Sequence, residues 1–210
     1  SIISILDQTY DNFEIIIIND GSIDDSSAVI QNFSDSRIRF YENRTNQGLA
    51  VTLNRAINLS KGDYLARQDQ DDISVPERFE KQVKFFETHP SFGMVGTWAK
   101  YTRGTKETER VLELPTDSLT IKFELLFNNQ FIHSSVMIRK KVFDEIGLYT
   151  TEKSQSCNED YELWCRIVRE FDVSNIPEML LIYREVPNSM SRINGQYGFF
   201  NSQVIIVISE

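Results

Sequence analysis

The chain reads as an α/β protein built on a doubly wound sheet, and three observations predict it. Strand-like and helix-like stretches alternate from Phe13 to Phe86. The run Ile15-Ile16-Ile17-Ile18 is continuously apolar and β-branched, as a strand covered on both faces requires. The 210 residues, 40% hydrophobic and 11% aromatic, suffice for one substantial core, with no composition break to mark a second domain.

Taken in order, Ser1 to Tyr10 carries apolar residues at 2, 3, 5 and 6, which suits a helix packed on a core, although no capping sequence precedes it. After the isoleucine run, Asn19-Asp20-Gly21-Ser22 breaks the strand. Ser22, with Asp25 three residues on, has the form of a helix N-cap with an acid in the first turn, and Ala28, Val29 and Phe33 continue a helical face. A short strand is expected at Ile38 to Tyr41. Asn46-Gln47-Gly48 makes a turn, after which Leu49, Leu53, Ala56, Ile57 and Ser60 run at helical spacing to Gly62, a terminator. Asp63 to Gln68 is the next strand, and Pro76 opens a helix carrying Phe79, Val83 and Phe86.

The second half is less regular. Strands are expected at Met94 to Tyr101, His133 to Ile138 and Met179 to Tyr183. Helices are expected at Ser118 to Phe127, at Val142 to Ile146 closed by Gly147, and at Tyr161 to Arg169. Thr150 to Asn158 is polar, and Glu185 to Gly198 reads as a mobile loop.

Charge and composition exclude several classes. A net charge of -9 disfavours a nucleic-acid partner, which wants Lys and Arg clustered on one face. Two cysteines, Cys157 and Cys165, and two histidines offer no zinc spacing and fit reduced thiols in a cytoplasmic setting. No apolar stretch reaches the roughly 18 residues that span a bilayer, and no signal core opens the chain. Contact with a membrane is then left to a surface patch or a partner.

The run Asp69-Gln70-Asp71-Asp72, following the apolar Tyr64-Leu65-Ala66, carries the chemistry. Carboxylates two residues apart at a strand end can hold Mg2+ or Mn2+, whose remaining shell is filled by water and phosphate oxygens. With 31 acidic residues in the chain, such a cluster is also what a solvated loop or a helix cap looks like. An EF-hand is excluded on spacing: with Asp69 first, Glu80 falls at position twelve, but Ile73 and Ser74 stand where a ligand and the turn glycine are needed. Asp20 ends another strand, and the two acidic sites share a sheet edge if both strands point the same way. Asp20 either accepts from a base imide N–H or stabilises its own turn. Glu159-Asp160 opens a helix, where an acid caps or, at the mouth of a pocket, serves as a general base.

Asn19-Asp20-Gly21-Ser22, the Asp69 to Asp72 run followed by Pro76, and Glu159-Asp160-Tyr161-Glu162-Leu163-Trp164-Cys165-Arg166 stand in an order and spacing that resembles the family 2 glycosyltransferases with the GT-A fold. Ser4 to Tyr10 with Phe13-Glu14 is similar to the segment ahead of that family's second strand. The resemblance covers nearly the whole chain and thins after Arg184. It implies a Rossmann-like, mixed and mostly parallel sheet flanked by helices.

Position by position, Asp20 resembles the aspartate that hydrogen-bonds the nucleobase, and Gly48 lies in the turn near that base. Asp69 looks like the first aspartate of the DxD signature, near ribose and metal, and Asp71 like the direct ligand of Mg2+ or Mn2+, while Asp72 caps the segment after it. Asp160 resembles the catalytic base, with Glu159 beside it as an acceptor or orienting contact. His133 and Trp164 fall on the acceptor side, His133 being equally a structural histidine. The implied reaction is inverting transfer of a sugar from a UDP- or dTDP-sugar donor to a hydroxyl of a glycan or lipid-linked glycan, in bacterial surface polysaccharide biosynthesis at the cytoplasmic face of the membrane. An expected division runs through one domain: residues 1–101 for the nucleotide and 102–210 for the acceptor.

Two departures from the family pattern stand out. The family opens with a strand of the type Val-Ser-Val-Ile-Ile-Pro-x-Tyr-Asn, and this sequence reads as starting after it, which would leave an inner slot of the sheet with unpaired backbone. Val186 stands where many relatives have histidine. Two other readings compete: a metal-dependent nucleotidyltransferase, which should show a glycine-rich basic phosphate loop near its first strand, and a non-catalytic nucleotide-sugar-binding fragment.

Overall fold

The computed structural model describes residues 1–103, 106–152, 158–185 and 203–209. Helix α1 (Ile2–Leu6) leads into strand β1 (Phe13–Asn19), helix α2 (Ser26–Gln31), strand β2 (Ile38–Glu42), helix α3 (Leu49–Leu59) and strand β3 (Tyr64–Asp69). Next come β4 (Ile73–Ser74), α4 (Arg78–Thr88), β5 (Phe92–Arg103), β6 (Lys106–Leu112) and α5 (Ser118–Glu124). A 3-10 turn (His133–Ser135), β7 (Met137–Arg139), α6 (Lys140–Ile146), α7 (Glu159–Glu170), β8 (Asp172–Glu185) and β9 (Gln203–Ser209) complete the order.

The strands form one sheet in the order β2-β1-β9-β3-β7-β5-β8-β4, with β6 paired to β5. The sheet is mixed. β1 with β2 and β5 with β8 are parallel pairs. β9 and β7 run against their neighbours, so β1, β2, β3, β5 and β8 all point one way. The slot expected to stand open, between β1 and β3, is filled by β9, which pairs antiparallel with both. That strand has no counterpart among the expected elements, although its Val204 to Ile208 run carries the same β-branched signal as β1.

Alternation along β1 divides the core. Ile16 and Ile18 face a cluster with Leu53, Ala56 and Ile57 of α3 and Leu163, Trp164 and Ile167 of α7. Ile15 and Ile17 face a second cluster with Ile5 of α1 and Phe79, Val83 and Phe86 of α4. All four isoleucines are fully buried. Each contributes roughly 1.5–3 kcal/mol of apolar burial, which is why a strand with helices on both sides needs a continuous rather than an alternating run.

Several boundaries differ from expectation for local reasons. Ser22 is no cap: its N–H donates to Asn19 Oδ1 at 2.9 Å, and the helix begins only after Asp25, with Ile30 turned inward and Val29 outward. Helix α3 ends in an extended Ser60 whose hydroxyl bonds the Ile57 carbonyl at 2.6 Å, so Gly62 is not needed as a left-handed cap. Pro76 lies two residues ahead of α4 and spends its carbonyl on the Thr9 N–H at 2.9 Å. Glu159 and Asp160 lie inside the first turn of α7, whose N-cap is Asn158. The expected loop beyond Glu185, Val186 within it, and Cys157 fall outside the described residues.

Candidate active site

β1 and β3 deliver their acids to one edge. Ile18 and Asp69 both pair with Val204 of the intervening β9, so Asp20 and Asp69 leave the sheet at nearly the same level. Two strand spacings put β1 and β3 about 10 Å apart. The shared edge expected from the sequence is therefore present.

Asp20 is fully buried, and its carboxylate faces protein. Oδ1 accepts from Asn43 Nδ2 at 2.7 Å and from the Gln47 N–H at 2.9 Å, and Oδ2 accepts from the Gly48 N–H at 2.9 Å. These bonds pin the turn that starts α3, where Gly48 takes φ 91° at the N-cap, a left-handed value that suits glycine. The carboxylate thus stabilises a turn, the second of the two roles expected of Asp20, although that turn is the one at Gly48 rather than its own.

The β3 end gathers three carboxylates. Ligand oxygens of Asp69, Asp71 and Asp72 lie within 4.8 Å of one another. Asp69 pairs with Arg67, two residues earlier on the same face of β3 and almost wholly buried. Its backbone N–H donates to Ser134 Oγ at 2.9 Å. Burial, then the Asp69 charge, raises the Asp71 pKa. The same two causes push Asp72 up to about 7. Asp72 does not cap a following helix: its Oδ1 accepts the Arg184 N–H at 3.0 Å, while its buried Oδ2 has no hydrogen-bond partner among the described residues. The Arg184 Nε donates to the Asp71 carbonyl. Three crowded acids, two of them reluctant to ionise and one with an orphaned oxygen, fit a hard divalent cation, which would relieve the repulsion and complete that oxygen's bonding.

Asp160 lies in the first turn of α7. Its Oδ2 accepts from Asn129 Nδ2 at 3.0 Å and its Oδ1 from the Tyr161 N–H at 2.7 Å. Burial raises the Tyr149 phenol pKa first, and the charges of Arg67, Asp160, Glu159 and Asp69 all act on it. The phenol oxygen is 2.9 Å from His133 Nε2. His133 sits in the 3-10 turn rather than a strand, because Ser135 returns both its N–H and its hydroxyl to the Ile132 carbonyl. Burial, then Arg67, holds the imidazole well below its usual pKa, so it is neutral. Trp164 stands edge-on to His133 at 5.7 Å and is fully buried. Its side chain has no surface to offer an acceptor and serves as the wall behind His133. Glu159 is also buried.

Arg67, Asn129, Ser134, Tyr149 and Arg184 join the site without having been expected there. Arg67 has a signal, since an arginine two positions before Asp69 on a strand shares its face. The others are brought in by tertiary contacts. A cavity of about 530 Å³ lies beside α1 and α2, but it meets the acidic loop only at Gln70 and includes neither Gly48 nor Asp160. The meeting of strand ends and the α7 turn, not that cavity, defines the site.

A mixed sheet with helices on both faces, ending in an acidic loop suited to a divalent cation, is an α/β architecture of the GT-A type. Residues 1–147 match the model of the family described as "Glycosyl transferase family 2". The O-antigen biosynthesis glycosyltransferase WbnJ of Escherichia coli is 35% identical over 190 residues, covering 88% of this chain and 72% of WbnJ. Among solved structures, Staphylococcus aureus TarS 1-349 in complex with UDP-GlcNAc superposes with a TM-score of 0.73 at 16% identity, over 91% of this chain. This chain spans 56% of that TarS chain. The mannosyltransferase PcManGT of Pyrobaculum calidifontis, in complex with GDP-Man and Mn2+, gives a TM-score of 0.65 at 15% identity over 90% of this chain and 53% of its own. The chain belongs to glycosyl transferase family 2. Asp160 lies beyond the segment that the family model matches, within the region shared with longer relatives.

Proposed function

We propose that this chain transfers a sugar, with inversion, from a nucleotide-sugar donor to a hydroxyl of a glycan or lipid-linked glycan in polysaccharide biosynthesis. The observation that carries the reading is the meeting of the Gly48 turn and the Asp69 to Asp72 loop on one sheet edge, with Asp160 and Asp69 both near enough to Tyr149 for their charges to add to the burial that raises its phenol pKa. UDP- and dTDP-sugars are the donors considered, because Asp20 resembles the family's base-reading aspartate and an imide edge is common to uracil and thymine. Asp71, with Asp69 and Asp72 beside it, would hold Mg2+ or Mn2+, whose chemistry there is to neutralise the departing diphosphate.

The remaining work falls to the chain. Asp160 accepts the acceptor's hydroxyl proton as that oxygen bonds the anomeric carbon. The bond from that carbon to the diphosphate breaks on the opposite face, its electron pair leaving with phosphate. General-base help of this kind is worth ~10²–10⁴-fold. His133, neutral, supplies a hydrogen-bonding edge on the acceptor side, and Glu159 orients the first turn of α7. Residues 1–101 carry the donor and 102–210 the acceptor in this reading. Among the described residues no helix is long and apolar enough to cross a membrane. We place the reaction at the cytoplasmic face, with the acceptor delivered from the membrane.

The test is a panel of UDP-, dTDP- and GDP-sugars, screened for thermal stabilisation with and without Mn2+ and for nucleotide release. Asp160→Asn should keep donor binding and lose turnover by ~10²–10⁴-fold. Asp71→Asn should abolish the Mn2+-dependent part of the stabilisation. Equal stabilisation without metal for every nucleotide, or full turnover by Asp160→Asn, would refute the mechanism.

A further inference from the structure

Asn129 is exposed, yet its side chain is held by a hydrogen bond at each end of the amide. Its Oδ1 accepts the Phe131 N–H at 3.1 Å, which obliges the amide nitrogen to face the other way. There Nδ2 donates to Asp160 Oδ2 at 3.0 Å. The turn that carries it is anchored on both sides. Leu125, Gln130 and Phe131 are buried around the exposed pair Asn128 and Asn129. The Leu125 carbonyl accepts the Tyr161 hydroxyl from the first turn of α7, and the Gln130 carbonyl accepts Asn175 Nδ2 at 3.1 Å.

We infer that Asn129 is a positioning residue for the base: it fixes the plane of the Asp160 carboxylate so that a free lone pair meets the acceptor hydroxyl. This rests on the reading of Asp160 as general base. An aspartate in a helix's first turn otherwise samples several staggered rotamers, and only some aim an oxygen at the acceptor. With Oδ1 on the Tyr161 N–H and Oδ2 on Asn129, the carboxylate is held before substrate arrives, and the ordering is not charged to the reaction step. Asn129 touches no reacting atom. Its effect is on the orientation of a group that does.

Two measurements on the full chain test this. In ¹H–¹⁵N spectra, Asp160→Asn should move the side-chain amide resonances of Asn129 and leave those of Asn43 and Asn54 in place; unmoved Asn129 resonances overturn the contact. In nucleotide release from UDP-N-acetylglucosamine, UDP-glucose and dTDP-glucose with Mn2+, Asn129→Ala should lower kcat roughly 10–100-fold with donor KM unchanged. Asn129→Asp, which sets a second carboxylate against Asp160, should lower it further. Asn129→Asp keeps an acceptor for the Phe131 N–H and should stay close to the wild-type thermal midpoint, whereas Asn129→Ala gives up that bond and should melt somewhat lower while still folding. Unchanged kcat in both variants, or a donor KM that rises in step with the loss, overturns the inference. Absence of turnover by the wild type on every donor instead refutes the parent reading, and the amide resonances still decide whether Asn129 holds Asp160.

Discussion

The hydroxyl oxygen of Ser134 accepts the backbone N–H of Asp69 at 2.9 Å, tying the 3-10 turn that carries His133 to the strand end that carries the acidic loop. Ser134 is almost fully buried, so no water replaces it on truncation. Ser134→Ala should cost about 1–3 kcal/mol through the orphaned N–H, read as a lower urea midpoint at constant slope. Mn2+ affinity should fall with it, because Asp69 loses its backbone anchor.

Gly21 has φ 76°, and a Cβ there would stand 2.7 Å from the Asn46 nitrogen and 2.8 Å from the Thr45 carbonyl carbon. Both are backbone atoms that cannot swing aside. Gly21→Ala should therefore destabilise by roughly 1–3 kcal/mol and displace the turn that Asp20 holds. Gly48→Ala meets no atom within 4 Å. It should show only the backbone cost of about 1 kcal/mol, so comparing the two thermal midpoints separates collision from conformation.

Asp72 titrates in the folded protein at about 7, against an ordinary 3.8. Between these values the folded state holds a proton that the unfolded chain has released. The stability this contributes is complete below the unfolded pKa and is lost as pH rises through about 7. Asp72→Asn resembles the protonated form and still accepts from the Arg184 N–H. In chelator, its thermal midpoint should pull ahead of the wild type from pH 4 to pH 8, by at least ~2–4 °C. A gap that stays constant with pH would show that Asp72 does not titrate there.

Arg78 is fully buried among Gln68, Ser74, Gln82 and the carbonyls of Arg67 and Val136, all within 3.3 Å. Arg78→Met keeps the stem and strands several of those acceptors. A loss of roughly 3 kcal/mol or more is expected in chemical denaturation.

Legibility in the sequence tracks the range over which each signal acts. The Ile15–Ile18 strand, the Leu53, Ala56 and Ile57 face of α3 and the Leu163, Trp164 and Ile167 stripe of α7 are periodic over one element, and periodicity is local. The acidic loop is legible because its three carboxylates are neighbours in sequence. Asp20 is placed correctly at the strand end but not oriented, since Asn43, Gln47 and Gly48, which claim its oxygens, belong to a turn two elements on. His133 reads as a strand residue because Ile132 and Val136 flank it, whereas the Ser135 side chain closes a tighter turn. Tyr149 and Asn129 reach the site only through packing, and no pattern within their own segments encodes that.

The slot occupied by β9 has a kinetic corollary. β1 and β3 share no direct hydrogen bonds; their registers agree because each is matched to residues 203–209. That pairing bridges some of the longest sequence separations in the described chain, and such contacts close slowly because the loop's entropy is lost before the contact forms. On refolding, helical signal should return first and binding of the proposed nucleotide-sugar donor only in a later phase, once β1 and β3 have been brought level.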